Sequence, residues 1–264
     1  MKKYLVIGNP INHSLSPKLH NHWLKQNKIK AFYDKIKLEE NEIKEFIQDI
    51  KKQKIAGCNV TVPFKKIVIP FLDILSPEAE QTQSVNTIIF EKGNLIGYNT
   101  DIAGFDRAIK TLNFKMNNKK VLILGAGGVV PSIIFALKKM DVSQITISNR
   151  TRQKAENLKI QFNNLNVVEW GSLTELDIII NATSLGLGDE KINLNLSEIG
   201  KDKLFYDVIY NPAETNFLKI AKMSGNIAEN GKLMFIYQAY EAFKLWHGIE
   251  PEINDDTLKL LDND

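Results

Sequence analysis

Residues 119–130 read KKVLILGAGGVV and constrain this chain more than any other stretch of it. An apolar run of strand length ends in a glycine-rich turn that opens an apolar helix, the context of a dinucleotide-binding unit. Gly125 permits the tight turn, Gly127 lets the backbone approach a pyrophosphate, and the amides of Gly128 and Val129 open the helix toward that charge. Ala126 sits between the first two glycines. Val130 occupies the third small position of GxGxxG, which implies slightly wider packing of the helix on its strand. The uncharged stretch 121–137 just reaches the roughly 17-residue lower limit of a membrane span, but Gly125, Gly127, Gly128 and Pro131 interrupt it. Strand, turn and helix explain it better.

The next strand, Gln144 to Ser148, leads into Asn149, Arg150 and Thr151, followed by Arg152 and Lys154. A unit specific for NAD ends this strand with Asp or Glu, which binds the ribose hydroxyls and repels a 2′-phosphate. Here a guanidinium takes that place. Arg150 can pair with the phosphate and stack on adenine, so the expected cofactor is NADP. Cations at a helix start oppose the helix dipole, so they need a reason to be there.

Around this unit the pattern alternates strand and helix. Strand Lys120 to Leu124 is followed by helix Val129 to Met140, strand Gln144 to Ser148, helix Arg152 to Phe162, a short strand near Val167, and strands Asp177 to Asn181 and Leu204 to Asp207, with a weak strand at Asn226 to Asn230. Such alternation implies a parallel sheet covered on both faces. Upstream, the reading gives strand Tyr4 to Gly8, a helix capped by Ser16 before Pro17, strand Ala31 to Leu38 and helix Glu40 to Gln53. It continues with strand Ile55 to Val62, a helix from Lys65 to Leu72, a hairpin of Thr87 to Phe90 with Leu95 to Tyr98, and a helix from Asp101 to about Leu112. The polar segment FKMNNKK marks a boundary. A last helix, Lys232 to His247, is apolar on nearly every side, and Gly248 stands at its C-terminal cap. The expected architecture is therefore α/β in two domains: residues 1–101 as substrate domain, 102–231 as a Rossmann-type doubly wound domain, and 232–264 returning to the first.

Composition narrows the function. The 34 basic residues against 31 acidic leave a net charge of +3, too small and too interleaved for a nucleic-acid footprint. Cys58 is the lone cysteine and the four histidines lack HExxH spacing, so a disulfide and a metal site are both unsupported. Only Tyr4 to Ile7 follow Lys2 and Lys3 before Gly8, whereas a signal peptide needs about 7 to 15 apolar residues, so a cytoplasmic protein without membrane attachment is expected.

Hydride transfer also needs a group that exchanges a proton with the alcohol or carbonyl. NVTVPFKK at 59–66, VNT at 85–87 and GYNTD at 97–101 place a lysine just beyond a strand end and an aspartate at a helix start. Lys65 and Asp101 can then hold a substrate hydroxyl between them. Taken singly, they read equally as an exposed lysine and an N-cap.

With these residues in view, the whole chain resembles the shikimate dehydrogenase family. The matching segments are GNPINHSLSP, NVTVPFK, SVNT, GYNTD, GAGG, NRT, INATSLG, DVIYNPAET and MFIYQAYEAFKLWHG, in family order and spacing. Departures are Val129, Val130 and Pro131 in the glycine turn and Ser184 after NAT. The resemblance implies reversible NADPH-dependent reduction of 3-dehydroshikimate to shikimate in chorismate biosynthesis, by a monomer or homodimer with its active site in a cleft. It implies that Lys65 and Asp101 form the catalytic pair, that Ser14 and Ser16 hold the substrate carboxylate, and that Thr61, Asn86 and Gln238 bind the ring hydroxyls. Tyr210 would lie near both the carboxylate and the nicotinamide, and Thr183, Val208, Gly231 and Met234 would line the cofactor groove. Two rivals stay open: a quinate or broad-specificity relative, and a catalytically silent NADP-binding regulator.

Overall fold

A computed structural model describes residues 1–173, 175–188, 190, 192–196 and 199–262. Its strands form two separate six-stranded sheets. They belong to two units, one made of Met1–Gly104 with the chain from Ile236 onward, the other of Phe105–Phe235.

In the first unit, β1 (Lys2–Gly8), β2 (Ala31–Lys37) and β3 (Gly57–Val60) run parallel. Helices α1 (Ser16–Gln26) and α2 (Ile43–Lys51) connect them. The amphipathic spacing of α2 buries Ile43, Phe46, Ile47 and Ile50 against Leu5, Ile7, Cys58 and Val60. The two-residue β4 (Ile74–Leu75) and helix α3 (Pro77–Thr82) follow, then the hairpin of β5 (Thr87–Glu91) and β6 (Asn94–Tyr98). Lys92 and Gly93 turn that hairpin, both at positive φ, which suits a tight two-residue connection. The sheet order is β2-β1-β3-β5-β6-β4, with β5 antiparallel to both β3 and β6.

This topology decides where the chemistry can sit. Parallel β1 and β3 end at the same sheet edge where antiparallel β5 begins and β6 ends. The segments after β1, after β3, before β5 and after β6 therefore gather at one edge, and they carry Ser14 and Ser16, Thr61 and Lys65, Asn86, and Asp101.

The second unit contains α4 (Asp101–Thr111) from Phe105 onward, and then a sheet in which every pairing is parallel. Strands β7 (Lys120–Leu124), β8 (Gln144–Ser148) and β9 (Leu165–Val168) alternate with α5 (Val130–Lys139) and α6 (Arg152–Phe162). Strands β10 (Ile178–Asn181), β11 (Leu204–Asp207) and β12 (Ile227–Glu229) form the other half, with α7 (Asn216–Met223) between the last two. The order β12-β11-β10-β7-β8-β9 is that of a doubly wound sheet whose direction of winding reverses between β7 and β10. Such strands, covered on both faces, need unbroken apolar runs. Val121 to Leu124 and Ile178 to Ile180 supply them, all at most 1% exposed.

Helix α8 (Lys232–His247) begins in the second unit and continues into the first, where α9 (Asp255–Lys259) follows. Its C-terminal half packs on the first sheet. The Trp246 indole donates to Ile88 O (3.2 Å), and a Cβ on Gly57 would overlap that ring. Gly248, at φ +65°, ends the helix.

Two expected features differ. Ser16 is the first residue of α1 rather than its cap: Leu15 holds the cap position, and the Ser14 Oγ accepts from Ser16 N at 3.3 Å. The helix expected at Lys65 to Leu72 is instead a run of turns ending in a short 3₁₀ segment, Ile69–Phe71. Pro70 lacks the backbone donor that an α-helix interior needs. Helices α3 and α7 and strand β4 were not among the elements expected from sequence.

His20 on α1 is 1% exposed, stacked on Tyr33 at 4.2 Å, and neither ring nitrogen has a hydrogen-bond partner among the described residues. Burial, reinforced by nearby His247, holds its pKa down to about 3. The unfolded chain therefore binds a proton below about pH 6.5 that the folded chain refuses until about 3. Stability from this group is fully present above pH 6.5 and is lost as pH falls through that window. The melting temperature of His20→Phe is expected to fall less steeply between about pH 7 and 4 than that of the wild type. Equal slopes would show that another group carries the acid sensitivity.

Candidate active site

Hydrogen bonds of the main chain bring the loops of the first sheet edge together. Thr61 N donates to Ile7 O (2.9 Å) and Asn9 N to Val62 O (3.0 Å), which ties the loop after β1 to the loop after β3. Gly8 makes this approach possible, since a Cβ there would stand 2.5 Å from the Thr61 methyl. Val85 N donates to Lys65 O (2.9 Å), and Asn86 N to Tyr98 O (3.0 Å). Lys65 and Asn86 are thus fixed by backbone before their side chains act.

The side chains converge on Asp101. Its carboxylate forms a direct ion pair with the Lys65 ammonium, and both side chains are almost wholly buried, 8% and 11% exposed. Asn86 Nδ2 donates to the other carboxylate oxygen at 2.9 Å and to Thr100 Oγ1 at 2.9 Å, and it lies 3.5 Å from Gln238 Oε1. The amide cannot be reversed, because Thr100 N donates to Asn86 Oδ1 at 2.8 Å. Behind it, Asn59 Nδ2 donates to Asn86 O (3.1 Å) and Thr87 Oγ1 (3.0 Å), and Tyr33 OH donates to Asn59 Oδ1 (2.7 Å). Asn59, Thr87, Thr100 and Tyr33 were not singled out from sequence, although NVT, VNT and GYNT contain three of them. A polar residue in the middle of a strand that must be buried was the available signal.

A buried ion pair contributes little net stability, because desolvation offsets the Coulomb gain, so its presence here points to chemistry. The expected substrate-site residues of the first unit gather at this edge. Lys65, Asp101, Asn86 and Gln238 are linked in one chain of polar contacts, with Thr61 beside Gly8 and Ser14 bonded to Ser16.

The cofactor candidates line the C-terminal edge of the second sheet. Gly125 to Val129 connect β7 to α5, Asn149 to Thr151 connect β8 to α6, and Lys154 lies in the first turn of α6. Thr183 follows β10, Val208 and Tyr210 follow β11, and Gly231 and Met234 follow β12. Gly125 has φ +111°, and a Cβ would come within 2.7 Å of Ala182 O, so only glycine suits the turn. Gly127 and Gly128 are exposed, and a Cβ on Gly127 would meet only Ala182 O, at 4.0 Å. The Gly127 backbone leaves room for a ligand. Arg152 is committed to Glu156 and Glu169, whereas Arg150 and Lys154 are exposed and have no ion pair among the described residues. Gly231 packs so closely on the Val208 carbonyl that a Cβ would overlap it, and Tyr210 stacks on Phe235 at 4.4 Å.

Both units match known protein families. Residues 6–88 match the shikimate dehydrogenase substrate binding domain, 106–193 the shikimate/quinate 5-dehydrogenase family and 233–255 the shikimate 5′-dehydrogenase C-terminal domain. A shikimate dehydrogenase (NADP(+)) of Pelagibacter ubique is 57% identical over 262 residues, 99% of either chain. The chain belongs to the shikimate dehydrogenase family. Among solved structures, shikimate dehydrogenase from Aquifex aeolicus is similar over 100% of this chain and 98% of its own, with a TM-score of 0.90 at 36% identity. Shikimate 5-dehydrogenase from Thermus thermophilus, solved in complex with NADP(H) and shikimate, gives 0.87 at 30% identity, over 99% of this chain and 98% of its own. As a shikimate dehydrogenase family member, the chain is α/β with a doubly wound parallel sheet, as its alternating pattern implied. Among the described residues no helix is long and apolar enough to cross a membrane, and no group of three His, Cys, Asp or Glu is placed to hold a metal ion.

Proposed function

We propose that this chain catalyses the reversible NADPH-dependent reduction of 3-dehydroshikimate to shikimate. The observation that carries this reading is the buried pair of Lys65 and Asp101, oriented by Asn86 and standing among hydroxyl and amide groups suited to a polyhydroxylated ring. Bound NADPH supplies hydride to the carbonyl carbon. Lys65 donates a proton to the carbonyl oxygen as negative charge develops there, and in the oxidation direction the same amine receives it. Asp101 holds the ammonium and balances its charge. Ser14 and Ser16, at the start of the 11-residue α1, offer hydroxyl donors to the substrate carboxylate where a helix N-terminus favours an anion. Thr61, Asn86 and Gln238 read the ring hydroxyls, and Tyr210 would offer a further hydroxyl to the substrate.

The second unit fits the cofactor. The open turn at Gly127 and Gly128, together with Ala126 and Val129, would take the pyrophosphate. Asn149, Arg150, Thr151 and Lys154 would take the phosphorylated ribose, with Thr183, Val208, Gly231 and Met234 lining the rest of the groove. The partner is the small-molecule substrate, and each chain carries both residue sets, so a monomer or homodimer suffices. A biosynthetic reduction that draws on NADPH suits the cytoplasm, where we place it.

Steady-state assays with shikimate and quinate, each with NADP and NAD, test this reading. Shikimate with NADP is expected to turn over fastest. Preference for quinate would overturn the substrate assignment, and no turnover with any pair would favour a silent regulator.

A further inference from the structure

At the ends of β10 and β11 lies a buried polar network that the reaction above does not use. Asn181 and Asp207 are 0% exposed and Thr215 is 2% exposed. Three donors converge on the Asp207 carboxylate: Asn181 Nδ2 (3.0 Å) and Ile209 N (3.1 Å) on Oδ1, and Thr215 Oγ1 (2.6 Å) on Oδ2. Burial pushes the Asp207 pKa up to about 6 against the pull of those donors, and the two N–H groups on Oδ1, which can only donate, make that oxygen an acceptor.

That fixes everything attached to it. Asn181 must turn its NH₂ toward Asp207, and the second N–H of that group goes to Leu185 O (3.1 Å). Its Oδ1 then faces Thr183, accepting from both the backbone N (3.1 Å) and the hydroxyl (2.7 Å). Reversing the amide would set NH₂ against the Thr183 N–H and oxygen against the carboxylate. The Thr183 hydroxyl therefore spends its proton inward and also receives Leu185 N (3.1 Å), leaving a lone pair as all it can present to a ligand.

The sheet order says which part of a dinucleotide is concerned. In sheets of this order a dinucleotide binds across the point where winding reverses, here between β7 and β10, which would put the adenosine ribose at the end of β8. The loops after β10 and β11 would then serve the other half.

We propose that Asp207 is a positioning residue for the nicotinamide half of the cofactor: through Asn181 it holds Thr183 as a hydrogen-bond acceptor for the O–H and N–H donors of that half. This rests on the cofactor reading given above, and the test separates the two. Isothermal titration of NADP+ and of 2′,5′-ADP, which lacks the nicotinamide half, compares wild type with Asp207→Ala. NADP+ affinity is expected to fall about 5-fold or more, as for loss of neutral hydrogen bonds from Thr183 to the cofactor, while 2′,5′-ADP binds as before. Asp207→Asn is expected to recover most of the loss, because an amide oxygen still accepts from Asn181 and Ile209. If Asp207→Ala does not fold, Thr215→Val decides, with a smaller loss expected for NADP+ alone. Unchanged NADP+ affinity, or equal weakening of both ligands, would overturn the proposal. Failure of the wild type to bind either ligand would instead overturn the cofactor reading.

Discussion

Lys65→Ala and Asp101→Asn are each expected to lower turnover by about 10²-fold or more in a protein that remains folded, since positioned proton transfer contributes roughly 10²- to 10⁴-fold. The ion pair is direct and almost sealed from solvent. Asp101→Asn turns an NH₂ or a neutral oxygen toward the ammonium where a carboxylate had been. Because both residues act on one oxygen, the double variant is expected to be little slower than the slower single variant. Removing one member of a buried pair also leaves the other uncompensated, at a cost of about 3–5 kcal/mol. Thermal melts must therefore accompany the kinetics, and shikimate binding by the folded fraction separates lost chemistry from lost structure. Near wild-type turnover in either folded variant, or multiplicative losses in the double, would show that the pair does not act as a unit.

The parts of the fold legible in the sequence were those where a single physical rule decides. Lys120 to Leu124 and Leu204 to Asp207 are buried parallel strands, and continuous apolar runs with glycine or polar residues at their ends mark their limits. The span of α8 was equally clear, because its apolar circumference starts after Gly231 and stops at Gly248. Less clear were places where two rules compete. Ser-Pro occurs at 16–17 and at 76–77. At the second, Ser76 is a true cap, accepting from Ala79 N at 3.2 Å. At the first, the Ser14 hydroxyl receives the Ser16 N–H, and the helix begins one residue earlier. Residues 65–72 have helical apolar spacing, yet the backbone of Lys65 is held by Val85 and Pro70 breaks the run. Spacing reports which side chains face inward, not which backbone donors already have partners. The same limit applies to the site. Lys65 and Asp101 stand out as charged groups at element ends, whereas Asn59, Asn181 and Asp207 gain their meaning from partners 26 to 28 positions away.

Arg150→Ala is expected to weaken NADP+ by on the order of 10- to 150-fold while changing NAD+ affinity little, because a charge-assisted hydrogen bond to phosphate is worth roughly 1.5–3 kcal/mol and NAD+ lacks that phosphate. Three cations stand near the end of β8, and the structure distinguishes them. Arg152 is paired with Glu156 and Glu169, which raise its pKa further, so pairing with a ligand would require breaking those contacts. Arg150 precedes the helix, is exposed, and has no ion pair among the described residues. Lys154, one turn into α6, is also exposed but offers a point charge in place of a planar fork, so Lys154→Ala is expected to have the smaller effect. Screening by salt adds a second signature: the wild-type preference for NADP+ over NAD+ should shrink as ionic strength rises, and the Arg150→Ala preference should start low and stay flat. Titration of both cofactors into both proteins at low and high salt measures all of this. Equal weakening of NADP+ and NAD+ would mean that Arg150 only stacks on adenine, and the phosphate would then have to be read by Lys154.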